Sequence, residues 1–171
     1  MKILTVTFLL VFNYGCVTKQ NQPGKEYTLR NYQKKAEELL EVIKATEILP
    51  GTTYSSSLNS SIRDLSFELI DVGSGIANRF IAKNADCRAS IQEVTSVKNE
   101  LGKISSPDIL EKKFYQQKGP KTPEKCYDVR DLILQPAIVI VLTNKDIDRP
   151  AFLKMQKEID EAYKRTERIR L

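Results

Sequence analysis

An all-α bundle of four long helices and one or two short ones is the fold that this 171-residue sequence predicts. Two observations lead there. Apolar residues recur at steps of three and four over several separate stretches, a spacing that gathers them on one helical face. The one run rich in β-branched residues, Ala137 to Leu142, has no second strand candidate to pair with. The composition, 41% hydrophobic and 29% charged, suits one globular domain with one core rather than a disordered or polytopic chain.

The chain opens with Lys2 and an apolar run from Ile3 to Phe12, followed by Asn13, Tyr14, Gly15 and Cys16. A bilayer span needs about 20 apolar residues, so this run is too short to cross one but long enough for the core of a secretory signal. At these residues the chain resembles a bacterial lipoprotein precursor, in which a small residue precedes a cysteine that receives a diacylglycerol and becomes the new N-terminus. Gly15 and Cys16 occupy those two positions, and Asn13 stands where such signals carry an aliphatic residue. The resemblance implies a signal peptide over 1–15 and lipidation at Cys16. Val17, in place of a retention aspartate, implies an outer-membrane anchor facing the periplasm. The other readings of this segment are a cleaved signal that leaves Cys16 as a free thiol, and an uncleaved apolar anchor.

Residues 16–28 are polar, contain Pro23 and Gly24 and lack apolar periodicity, which predicts a flexible tether. The bundle is expected over 29–171. Leu29, Tyr32, Ala36, Leu39 and Ile43 form the stripe of a first helix, stopped at Leu49-Pro50-Gly51. After a serine-rich turn, Leu58, Ile62, Leu65, Leu69, Val72, Ile76 and Phe80 predict the longest helix. A third, capped by Asn84 or Asp86, would carry Ile91, Val94, Val97, Leu101 and Ile104. Ser105 to Asp108 stop and restart the chain. A short helix with Ile109, Leu110 and Phe114 then runs to about Gln117. Thr122 and Pro123 would cap and begin a fifth helix to Asn144, kinked at Pro136, apolar on most faces and therefore central. The last helix, from near Pro150, carries Phe152, Met155, Ile159, Ala162, Thr166 and Ile169.

Three cysteines are an odd number. If Cys16 takes a lipid, Cys87 and Cys126 remain as an even pair in an oxidising envelope, where a disulfide persists. Such a bond requires α-carbons within about 7 Å, so the chain must reverse near Ser105 to Pro107 and descend again. The alternative is two buried free thiols.

Histidine is absent, which removes His-dependent triads and dyads, His-ligated zinc and the usual haem ligand. Glu37, Glu38, Glu41, Glu158, Asp160 and Glu161 lie among lysines and are expected on solvated helix faces. Gly73-Ser74-Gly75 falls inside a helix without the strand and helix start that a phosphate loop needs, so it predicts close packing or a local kink. Asn59-Ser60-Ser61 fits a glycosylation acceptor pattern by coincidence. Lys164, Arg165, Arg168 and Arg170 either complement the helix C-terminal dipole or contact an anionic surface. Export and the lack of interleaved aromatics disfavour nucleic acid. No catalytic residue, metal ligand or cofactor site is assigned. The expected role is non-enzymatic, a membrane-tethered domain that binds or helps assemble an envelope component. The alternative is an exported inhibitor or immunity protein against an envelope-acting toxin or hydrolase.

Overall fold

In the computed structural model the described residues are 26–45, 56–115, 122–144 and 147–171. They form six α-helices and no strand. The helices are α1 (Leu29–Ala45), α2 (Ser56–Lys83), α3 (Arg88–Thr95), α4 (Pro107–Tyr115), α5 (Glu124–Leu142) and α6 (Arg149–Thr166). The signal segment, Cys16, most of the tether, the Leu49-Pro50-Gly51 stop and the 116–121 loop lie outside the described residues. Among those described, no helix is long and apolar enough to cross a membrane.

Four helices close a ring: α1 packs on α2, α2 on α5, α5 on α6 and α6 on α1. Helices α3 and α4 lie against the remaining side of α5. Surrounded in this way, α5 buries every residue from Asp128 to Val141, which is why its sequence is apolar nearly all round. The stripes expected on α1 and α6 are the buried residues: Tyr32, Ala36, Leu39 and Ile43, then Phe152, Met155, Ile159, Ala162 and Thr166. On α2, Ile62, Leu69, Val72, Ile76 and Phe80 enter the core and Leu65 packs at its edge.

Four expectations need correction. The third helix is α-helical only over Arg88–Thr95 and continues as 3-10 turns at Ser96–Asn99 and Leu101–Lys103. Thr95 and Ser96 hydroxyls donate to the Gln92 and Glu93 carbonyls at 2.7 Å, drawing the chain into tighter turns, and Gly102 adds a weak helix former. Val97, Leu101 and Ile104 are nonetheless buried, because a three-residue turn keeps them on one side. Asn84 stands at the N-cap of a 3-10 turn over Ala85–Cys87, but its side chain reaches back to the Phe80 carbonyl and caps nothing. At α5, Pro123 rather than Thr122 holds the N-cap position, and on α4 Ile109 faces solvent while Leu110 and Phe114 are buried.

Cys87 and Cys126 are bonded, with α-carbons 5.4 Å apart across a sequence separation of 39. Ile104 adopts extended backbone between the last 3-10 turn and α4, so the break expected near Ser105 is present and the chain returns to its starting level.

Pro136 sits inside α5. It has no N–H to offer the Leu132 carbonyl four residues earlier. That carbonyl instead accepts from the Tyr32 hydroxyl, 2.9 Å away across the bundle interior. Gly73 completes the junction: a Cβ there would stand 2.6 Å from the Leu132 oxygen. Three helices therefore meet where one of them lacks a backbone hydrogen bond.

Candidate functional site

Helix α5 carries polar side chains that its burial should exclude: Asp128, Arg130, Asp131 and Gln135. Burying a charge is costly unless it is paired. Asp128, Asp131 and Gln135 fall at steps of three and four, on the face that meets α6. There Arg165 bridges both aspartates, Nη1 to Asp128 Oδ1 at 2.8 Å and Nη2 to Asp131 Oδ2 at 2.9 Å. Arg168 adds a second contact to Asp128 at 3.1 Å. Arg130 donates to the Phe114 carbonyl and stacks over the Tyr127 ring, tying α4 to α5.

Part of the basic cluster at the end of α6 is thus engaged within the protein, while Lys164, Arg168 and Arg170 remain exposed. Arg165 turns inward to the α5 aspartates, the exposed Arg168 reaches Asp128 from the surface, Lys164 pairs with Asp160 at 2.5 Å, and Arg170 donates to the Glu167 and Ile169 carbonyls.

Beside this network, α4, α5 and α6 enclose a groove of about 690 Å³. Its polar walls come from Glu111 on α4, Asp131 and Gln135 on α5, and Lys154, Glu158 and Glu161 on α6; Ile138 and Leu153 supply an apolar floor and lip. Lys154 pairs with Glu111 at 2.8 Å, and Lys157 lies 3.8 Å from Glu161. Glu158 has no hydrogen bond or ion pair among the described residues. Burial pushes its carboxyl up to about 7, opposed by Lys154 and reinforced by the Glu161 and Glu111 charges. Glu158 is therefore half-buried at the groove, where α4 and α5 give it less solvent than the open helix face expected for it. Glu37, Glu38 and Glu41 on α1 are exposed as expected. Gln135, only 3% exposed, reaches Glu161 weakly through Nε2 at 3.4 Å, and its Oε1 is buried without a partner.

The Gly73-Ser74-Gly75 motif serves close packing. Gly73 admits the α5 backbone, and Gly75 admits the Tyr27 ring, whose Cδ1 would lie 2.1 Å from an added Cβ. Arg79 donates to the Tyr27 carbonyl at 2.8 Å and Asn31 to that of Glu26 at 2.7 Å. The end of the tether is thereby fastened to α2 before α1 begins.

Cys87 and Cys126 are joined as expected, and Cys16 lies outside the described residues. Among the described residues no three His, Cys, Asp or Glu side chains are arranged to hold a metal ion. The sequence reading missed Asp128, Asp131 and Gln135; the signal was their presence within a helix otherwise apolar on every face. Compared with family models, curated proteins and solved structures, the chain matches none.

Proposed function

We propose that the chain is a lipid-anchored envelope protein, attached through Cys16 to the outer membrane on its periplasmic side, whose helical domain binds or helps assemble another envelope component. The observation that carries this reading is the pairing of Cys87 with Cys126, which leaves Cys16, at the end of an apolar leader, as the odd cysteine. A disulfide between core cysteines suits an oxidising compartment, and a thiol beside a small residue after such a leader suits lipid attachment. The domain's role is binding rather than catalysis: most of the groove's charged groups are committed to one another, with only Glu158 outside an ion pair among the described residues.

Two experiments test it. Palmitate labelling in the native host should give a labelled protein that Cys16→Ala abolishes; label retained in that variant would remove the anchor. Crosslinking in the same cells, read by mass spectrometry, should recover a stoichiometric envelope partner. A toxin or hydrolase as that partner would replace the assembly role with an inhibitory one.

A further inference from the structure

The groove between α4, α5 and α6 has an unmet requirement whose chemistry is specific. Its lining holds four carboxylates, Glu111, Asp131, Glu158 and Glu161, against three cations, Lys154, Lys157 and Arg165. Each cation has a carboxylate within 4 Å, which leaves Glu158 over. The second unmet group is neutral: the Gln135 Oε1, buried with no donor to satisfy it. Both are acceptors. A buried acceptor without a donor is destabilising, and a native structure that retains one has a reason to do so. Among the described residues the long 3.4 Å contact from Nε2 to Glu161 is the one bond that holds the Gln135 amide, and its terminal torsion is broad, so the amide can reorient toward a bound donor. Next to these groups Ile138 and the 53% exposed Leu153 offer apolar surface.

The geometry points to a receptor for a guanidinium or primary ammonium carried on an aliphatic stem, with the charged head between Glu158 and Gln135 Oε1 and the stem along Ile138 and Leu153. A guanidinium fits best, since it offers several donors in a fixed fork and accepts none. Two sources share this chemistry, an arginine or lysine side chain of a partner protein and a free small organic cation. The inference deepens the binding role proposed above and rests on it.

Binding and protonation are linked here. Glu158 shares the groove with Glu111 from α4, Asp131 and Gln135 from α5, and Lys154, Lys157 and Glu161 along α6, and Asp108 acts on the neighbouring Lys154. The cation favours the ionised Glu158 and so binds more tightly at pH 8 than at pH 5.5.

The test is an NMR titration of the full-length protein, isotopically labelled and held in a non-ionic detergent, with n-butylguanidinium, 1-butanol and a capped Gly-Gly-Arg-Gly-Gly peptide as probes. Butylguanidinium should shift the Gln135 side-chain amide saturably and lower the midpoint of Glu158 Cδ titration. Butanol, with the same stem and no charge, should do neither. Glu158→Gln should weaken butylguanidinium binding about tenfold or more, and Gln135→Met should weaken it while the backbone amide spectrum stays native. Peptide binding at least as tight as butylguanidinium assigns the site to a partner's side chain; exclusion of the peptide assigns it to a free cation. No saturable shift at Gln135, an equal shift with butanol, or unchanged affinity in Glu158→Gln would overturn the proposal. Crosslinks to an envelope partner through another face, with the groove inert to butylguanidinium, would retain the binding role and remove only its location.

Discussion

Replacing Tyr32 by phenylalanine removes one oxygen from the core and isolates one carbonyl, and the cost depends on Pro136, more than a hundred residues away in sequence. Tyr32 is fully buried, and its hydroxyl donates to the Leu132 carbonyl at 2.9 Å. Burial, with the Asp131 charge, raises the phenol well above its ordinary value, so it remains a donor across the accessible pH range. Leaving a buried acceptor unmet costs about 1–3 kcal/mol, more than the net value of an ordinary hydrogen bond, because the carbonyl cannot return to water. In a Pro136→Ala background the new N–H at position 136 can bond Leu132 in the helical i to i−4 register. There Tyr32→Phe should cost well under 1 kcal/mol. The coupling across the double-mutant cycle, about 1 kcal/mol or more, is independent of what Pro136→Ala does by itself. Urea unfolding of the full chain with its disulfide intact, followed by far-UV circular dichroism, measures all four corners. Equal costs in the two backgrounds, within about 0.3 kcal/mol, would refute the claim that Tyr32 substitutes for the donor that proline lacks.

Other perturbations separate the remaining features. Gly73→Ala puts a Cβ 2.6 Å from the Leu132 oxygen, which is backbone and cannot swing away, so the melting temperature should fall by several degrees; a neutral result would mean that α2 and α5 are not held that close. Gly75→Ala meets the Tyr27 ring, which can move, so the loss should appear as faster amide exchange at Tyr27 and Arg79 with little change in global stability. Replacing Cys87 and Cys126 together by serine or alanine reopens a loop with a sequence separation of 39 and should destabilise by about 4 kcal/mol on the chain-entropy model; a midpoint unmoved by reduction would show that packing alone holds the two helices. Glu158 is held near 7 in the native protein against an ordinary value of 4.5, so the native state keeps a proton that the unfolded chain gives up between those values. Stability from this group is full below about 4.5 and declines as pH rises through 7. Glu158→Gln should flatten that decline, and identical pH slopes for the two proteins would place Glu158 in water.

What the sequence revealed and what it concealed divide along one physical line. A helix that packs on one side declares itself by period, so the stripes Tyr32 to Ile43 and Phe152 to Thr166 could be placed in the core directly. The disulfide was legible for another reason, since three cysteines allow only three pairings. A helix buried on every side has no polar face for a period to reveal, and α5 shows the cost of that. Its aspartates belong to no period, and from sequence the arginines at the end of α6 suit either the helix dipole or an anionic surface. Neither segment alone settles the choice, because the partners are separated by more than thirty residues. The answer follows from taking both constraints together. A carboxylate inside a fully packed helix must find a cation. Asp128 and Asp131 are three apart on α5, and Arg165 and Arg168 are three apart across the end of α6, whose stripe already requires it to pack nearby. Matching those spacings pairs Arg165 with both aspartates and brings Arg168 to Asp128.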